Sequence, residues 1–270
     1  MIRFAALGSG SEGNATVIEA HPESFAKDAK PVTRILLDCG FPTKELERRL
    51  AQVGLGAGGF DGVFDAVLVT HEHGDHASGA LKAARRLGCP LFGTFGTLMA
   101  AFGTTADPNM RIISAQNLTF SINHFTIKPI AVAHDAQEPV QYRIDCEQLS
   151  FGVLTDLGMP TAAVIAGFSG LDGMILECNH DEQMLKTSRY HPNLKKRVGG
   201  DWGHLSNRQA ADLYAKLHHD KLQQVWCAHL SKNNNQPHLA QTAIAAVRGC
   251  APEAVSVLDQ HAAGAWFEIK

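Results

Sequence analysis

The chain has 270 residues, 45% of them hydrophobic, and 24 Lys and Arg against 27 Asp and Glu for a formal net charge of −3. That size and apolar content suit one α/β domain over residues 1–270 with a large core, and the charge excludes a globally basic nucleic-acid binder. No stretch approaches the ~20 apolar residues a membrane span requires, so no membrane partner is expected.

From Met1 to Gly8 the chain goes straight into strand-like sequence, without the apolar region and cleavage site of a secretory signal, and a cytoplasmic location is expected. Residues 2–7 and 15–19 read as two strands joined by Gly8-Ser9-Gly10-Ser11-Glu12-Gly13-Asn14, a turn rich in residues that tolerate unusual backbone angles. Residues 33–38 form another apolar run that ends in Asp38-Cys39-Gly40, and Thr43 is expected to cap a helix through about residue 53. The glycine-rich stretch from Gly54 to Gly62 is too short and mixed to divide domains. Ala66-Val67-Leu68-Val69-Thr70 reads as a buried strand, and Ala77 to Leu87 has helical periodicity that stops at Gly88. Alternating strands fill 119–154, and Met174 to Cys178 is another. Helices are expected at 206–219, opened by Ser206-Asn207 as a cap, and at 236–248; strands at 254–258 and 265–269 close the chain. Cys39, Cys89, Cys146, Cys178, Cys227 and Cys250 show no paired spacing and read as reduced core thiols, with a nucleophilic Cys178 the lesser reading.

The segment that decides the function is His71-Glu72-His73-Gly74-Asp75-His76, directly after the 66–70 strand. Imidazole and carboxylate together suit borderline divalent ions such as zinc, manganese or iron, and a strand end holds them rigidly. His71 and His73 are two apart, not the four of a zinc-binding helix. At a strand-to-loop corner they project the same way and grip one ion, while Asp75 and His76 turn toward a second with Gly74 easing the bend. A chance crowd of surface histidines gains nothing from gathering at a strand end.

This H-x-H-x-D-H spacing resembles the metallo-β-lactamase superfamily, and the resemblance runs along nearly the whole chain. It implies an α/β fold, an αβ/βα four-layer sandwich of two mixed sheets packed face to face with helices outside. It also implies two divalent metal ions, zinc or manganese, with His71 and His73 on one and Asp75 and His76 on the other. Three further ligands are then required: a histidine, a bridging aspartate and a last histidine, each following a strand. Ile130-Ala131-Val132-Ala133 leads to His134, where Asp135 is an adjacent competitor; Phe151-Gly152-Val153-Leu154-Thr155 leads to Asp156; Val225-Trp226-Cys227-Ala228 leads to His229. The segments Leu7 to Asn14, His134-Asp135-Ala136, Thr155-Asp156-Leu157-Gly158, Glu177-Cys178-Asn179-His180-Asp181, Gly203-His204-Leu205-Ser206-Asn207 and His229 to Asn235 are similar to the bacterial YycJ/WalJ-type branch. That branch is associated with 5′-to-3′ DNA exonuclease activity. No separate nucleic-acid domain fits between Asp156 and His229.

The implied chemistry is phosphodiester hydrolysis by a hydroxide bridging the two ions, with Asp75 and His204 as catalytic residues and a nucleic acid, DNA foremost, as the partner. His204, in an exposed loop beside a helix start, is suited to protonate the leaving oxygen or bind the scissile phosphate. Candidate substrate contacts are Ser9, Ser11, Asn14, His180, Asn207 and Ser231, each of which also reads as ordinary turn or cap chemistry. Lys186, Arg189, Lys195, Lys196 and Arg197 form a run without an acidic residue, either a phosphate-binding patch or a solvated face. An RNase, a small phosphodiesterase or a thioester hydrolase on the same ligand set are the alternatives. The carboxylate in the bridging position argues against a β-lactamase, which usually carries a cysteine there.

Overall fold

The computed structural model describes residues 1–23, 31–114, 116 and 118–270. Its strands, in chain order, are β1 (Ile2–Gly8), β2 (Ala15–Ala20), β3 (Thr33–Leu37), β4 (Ala66–Leu68), β5 (Leu91–Thr94), β6 (Met110–Ile113), β7 (Phe120–Ile122), β8 (Phe125–Ala131), β9 (Val140–Cys146), β10 (Leu149–Leu154), β11 (Gly173–Glu177), β12 (Gln224–Ala228), β13 (Ser256–Val257) and β14 (Phe267–Ile269). The helices are α1 (Thr43–Gln52), α2 (Gly74–Ala77), α3 (Ala80–Leu87), α4 (Phe95–Phe102), α5 (Ala162–Phe168), α6 (Glu182–Thr187), α7 (Pro192–Val198), α8 (Asn207–Leu217) and α9 (Pro237–Arg248).

The strands make two seven-stranded sheets, ordered β14-β1-β2-β3-β4-β5-β6 and β13-β12-β11-β10-β9-β8-β7. Both are mixed: β3 to β6 run parallel and β10 to β13 run parallel, while the hairpins β1–β2, β7–β8 and β8–β9 are antiparallel. Side chains alternate between faces, so a strand covered on both sides must be apolar at every position. In β12, Trp226 and Ala228 face the space between the sheets, while Val225 and Cys227 face the helices. In β4, Ala66 and Leu68 face the other sheet, and Val67 with Val69 beyond it faces helices. The inter-sheet layer centres on Phe4, Phe151 and Trp226, with Phe4 stacked on Phe151 at 5.0 Å and edge-on to Trp226 at 4.7 Å. The outer layers pack Leu46, Leu50 and Leu87 on the first sheet and Phe168, Tyr214 and Ile244 on the second, completing the four layers.

Most expected elements stand where periodicity put them, with local differences. Pro42, not Thr43, is the N-cap of α1, and no side chain caps it; Thr43 is the first helical residue. The helix expected over 77–87 begins at Ala80: Ala77 is the last residue of α2, and Ser78 and Gly79 separate the two, a side chain on Gly79 meeting the Phe41 carbonyl oxygen at 2.0 Å. Gly88 ends α3 in the left-handed conformation (φ 68°). Ser206 caps α8 in a full capping box with Gln209. The pattern left 89–113 unassigned, and there the structure has β5, α4 and β6. Among the described residues no helix is long and apolar enough to cross a membrane.

Candidate metal centre

Strand direction gathers the chemistry at one edge. β3, β4, β8, β10, β11 and β12 end on, or lead into, Asp38, His71, His134, Asp156, Glu177 and His229. The backbone is left-handed at Asp38 (φ 57°), Asp156 (φ 55°) and His229 (φ 55°). A non-glycine residue held there costs on the order of 1–3 kcal/mol. Such a reversal lets a carboxylate or imidazole leave the strand end sideways into the cleft between the sheets. α2 is pinned from below: Asp75 O accepts Asn14 N at 2.7 Å, His76 O accepts Cys39 N at 2.7 Å, and a side chain on Gly40 would meet Asp75 O at 2.1 Å.

Among the described residues four overlapping donor groups result, one of them Asp156, Glu177, His204 and His229 and another His71, His76 and Asp156; the remaining two are trios that share no residue. His71, His73 and His134 form one, with His73 Nδ1 3.2 Å from His134 Nε2 and the His71 and His134 rings 4.9 Å apart. Asp75, His76 and His229 form the other, with Asp75 Oδ2 3.5 Å from His76 Nε2 and 3.4 Å from His229 Nε2. Asp156 lies between them. Its Oδ1 is 3.8 Å from His134 Nε2 and 3.6 Å from His229 Nε2, and its Oδ2 is 3.0 Å from His76 Nε2. Asp135, the competitor of His134, pairs with Arg197 Nε at 2.5 Å through Oδ2, while its Oδ1 stays 3.5 Å from His134 Nε2 and 3.8 Å from His73 Nε2.

Each buried imidazole of the two trios has its Nδ1 engaged. His134 Nδ1 donates to Gly203 O at 3.0 Å, and His76 Nδ1 lies 2.8 Å from Asp38 Oδ2. His229 and His204 share Glu177 Oε1, their Nδ1 atoms at 3.1 and 2.8 Å. Thr70 Oγ1 donates to Asp38 Oδ2 at 2.9 Å and stands 3.0 Å from His71 Nδ1. These contacts engage each Nδ1 and leave Nε2 as the atom that faces inward. His71 Nε2 is buried without a hydrogen bond, and the partner of the buried Asp156 Oδ2 is His76 Nε2 at 3.0 Å. An orphaned buried polar atom is costly in an apo protein and is what a cation would satisfy, so the donor set fits two divalent ions.

The electrostatics divide the cluster. Burial, helped by the like charge of His76, holds His71 well below the ordinary imidazole value, and burial also lowers His134. At His229 burial is outweighed by Asp156, Asp75 and Glu177, which push it up to about 10. His76 is likewise raised well above normal by Asp156 and Asp38 against burial. Burial alone would raise Asp156, but His229 and His76 hold it well below the carboxylate range.

The other sequence candidates divide by exposure. His204 has a side chain 20% exposed, its ring 5.3 Å from that of His134 and 5.4 Å from that of His229, and its Nε2 makes no hydrogen bond among the described residues. Asn14 Nδ2 lies 2.9 Å from His76 Nε2 and donates to Asp75 Oδ2 at 3.3 Å, so it faces the second trio. Ser9 Oγ accepts the His229 backbone N–H at 3.0 Å. Ser11 is exposed on the turn. His180 is buried with its backbone paired to Ser206. Asn207 and Asn235 exchange amide hydrogen bonds at 2.9 Å, and Ser231 Oγ accepts Asn234 N at 3.3 Å, so both are tied to the framework. Cys178 is fully buried, its thiol pushed well above normal by Cys227 and burial. Asp38, Thr70 and Glu177 were not singled out from the sequence, although Asp38 and Glu177 end apolar runs just as the ligand candidates do.

A sequence profile described as the β-lactamase superfamily domain matches residues 33–226. The chain belongs to the metallo-β-lactamase superfamily. Within it, exodeoxyribonuclease WalJ of Streptococcus pneumoniae is 30% identical over 242 residues, which span 88% of this chain and 85% of that protein. Exodeoxyribonuclease YycJ of Bacillus anthracis is 28% identical over 249 residues, spanning 91% and 89%. The metallo-β-lactamase fold protein YhfI from Bacillus subtilis has a solved structure that superposes with a TM-score of 0.69, covering 99% of this chain and 100% of that one at 16% identity. That last likeness speaks to the fold alone.

Proposed function

We propose that this superfamily member is a two-metal phosphodiesterase acting on nucleic acid, a 5′-to-3′ DNA exonuclease, built as one domain over residues 1–270. The observation that carries it is the Asp156 carboxylate set between two histidine-containing trios, in a chain whose 30%-identical relative is named an exodeoxyribonuclease. His71, His73 and His134 would hold one ion, Asp75, His76 and His229 the other, and Asp156 both. Two ions so held supply an ionised water near neutral pH and positive charge for the non-bridging phosphate oxygens.

The chain's own residues do the rest. Asp38, Thr70, Glu177 and the Gly203 carbonyl orient the ligands, and Asn14 steadies Asp75. Asp75, its side chain 23% exposed, would orient the attacking water. Glu177 raises His204 above its ordinary value against burial, so that its imidazolium is available to protonate the departing oxygen.

The test is hydrolysis of end-labelled double-stranded DNA, single-stranded DNA and RNA with added manganese or zinc, with His76→Ala as the blank. Stepwise release of mononucleotides from 5′ DNA ends, absent in the blank, is the expected result. No cleavage with either metal, beside turnover of a simple thioester, would move the protein to carbon-centred hydrolysis and leave the ligand set standing.

A further inference from the structure

The basic run from Lys186 to Arg197 takes no part in holding metal. In the structure it spans the end of α6 and nearly all of α7, and it leads into the 199–203 loop that ends at His204. That loop is built to close tolerances. A side chain on Gly158 would meet Asp201 O at 2.2 Å, and one on Gly203 would meet Arg197 O at 2.1 Å. Gly203 N donates to Gly200 O and His204 N to Val198 O, both at 2.8 Å.

On this fixed turn stands Trp202, 63% exposed. Its indole has no hydrogen-bond or ring partner among the described residues, in contrast to Trp266, whose Nε1 donates to Val53 O at 3.0 Å. Large aromatic side chains bury most of their surface when they can, and a rigid loop displaying one to water forgoes that gain. The position is also close to the metal centre. Trp202 O accepts Asp135 N at 2.9 Å, and the next carbonyl, Gly203 O, is the one that holds His134 Nδ1. Beside the indole lies an open recess of about 570 Å³, lined by Asp135, Asn193, Lys196, Arg197, Gly200 and Asp201 as well as Trp202.

The charges around it can be sorted. Arg197 is taken up by Asp135, whereas Lys196 is exposed and makes no ion pair among the described residues. Asp201 contributes one further carboxylate to the lining, and the run's other cations, Lys186, Arg189 and Lys195, lie outside it, with Lys195 Nζ donating to Lys186 O at 2.7 Å. A flat aromatic face beside a catalytic cleft, with cations leading away from it, matches the alternation of base and phosphate in a single strand.

We propose that Trp202 is a stacking platform for a nucleobase of the strand whose scissile phosphate lies at the metals, and that Lys196 holds the phosphate flanking that base. This rests on the phosphodiesterase reading and deepens it. The strand crosses the α7 face, and the stacked base must be unpaired, because a base inside a duplex has both faces covered.

The test is steady-state hydrolysis of a 5′-phosphorylated single-stranded oligothymidylate by manganese-loaded wild type, Trp202→Ala, Trp202→Phe and Lys196→Ala, with metal content measured for each. Trp202→Ala is expected to raise KM roughly tenfold with kcat within about twofold, and Trp202→Phe to recover most of the loss. Lys196→Ala is expected to raise KM and to lower the slope of log KM against log salt by about one. An unchanged KM in Trp202→Ala, a Phe variant as impaired as the Ala variant, or loss of metal from Trp202→Ala would overturn the platform while wild-type cleavage keeps the phosphodiesterase reading. A wild type that cleaves no DNA yet hydrolyses a thioester would overturn that reading, and the platform with it.

Discussion

The two halves of the metal centre use the same residue types and support them differently. His71 and His134 lean on neutral groups, the Thr70 hydroxyl and the Gly203 carbonyl. His76 and His229 lean on buried carboxylates, Asp38 and Glu177. A neutral support fixes a tautomer and no more, whereas an anionic support also makes the imidazole more basic. His71 and His134 are lowered and His76 and His229 raised; Asp156 is the largest raising influence on the latter pair, and the supports Asp38 and Glu177 add to it. His71 and His134 thus offer bare lone pairs to a cation, whereas His76 and His229 belong to a buried ion-pair network that a cation must displace.

The harshest way to break this picture is to remove what both halves share. Asp156→Ala is expected to abolish turnover and cut metal content with the two sheets still formed, and His76→Ala should do the same through the second trio alone. Elemental analysis beside circular dichroism and the nuclease assay checks both, and full activity in either variant would sink the assignment. His204→Ala comes next. It should keep its metal and lose about 10²–10⁴ in kcat, the usual yield of a positioned acid. Metal loss in that variant would place His204 among the ligands. Smaller still, and aimed at the contrast itself, Asp38→Asn is expected to weaken metal binding roughly 10–100-fold, while Thr70→Val costs less because only a neutral support goes. Equal losses in a chelator competition would show that the charge of the support does not matter.

The ligand candidates were legible because each follows an apolar run, and a strand covered on both faces needs such a run. The same rule would have found Asp38 at the end of β3 and Glu177 at the end of β11. They were passed over because their partners, His76 and His229, are 38 and 52 residues away and only the folded sheets bring them together. Asn207 and Ser231 show the opposite error of sight: polar side chains near a site read as substrate contacts until pairing with Asn235 and Asn234 is seen. The 89–113 segment was unreadable for a plainer reason. β5 and β6 are four residues each, and β6 has both middle positions exposed, too short a run for either period to declare itself. Nothing in the spacing of Trp202 marked it, since exposure of an aromatic is a tertiary fact.

The finest test of the contrast is the proton count on metal uptake. With no metal bound at neutral pH, the raised values of His76 and His229 (about 10) mean that both carry a proton, whereas the lowered values of His71 and His134 mean that they do not. A ligating nitrogen must be bare, so the ion that enters beside His76 and His229 expels protons to the buffer and its affinity weakens as pH falls. His71 and His134 offer the ion beside them no such competition until the solution is more acid than their lowered values. Calorimetric titration of the metal-free protein in two buffers of different ionisation enthalpy separates the events. One binding heat should be the same in both buffers and the other should change with the buffer. Asp38→Asn should shrink the buffer-dependent heat without touching the other, because it removes one of the two carboxylates, Asp156 and Asp38, that hold the proton on His76. Two buffer-independent heats, or two equally dependent ones, would mean that the halves do not differ in the way their supports imply.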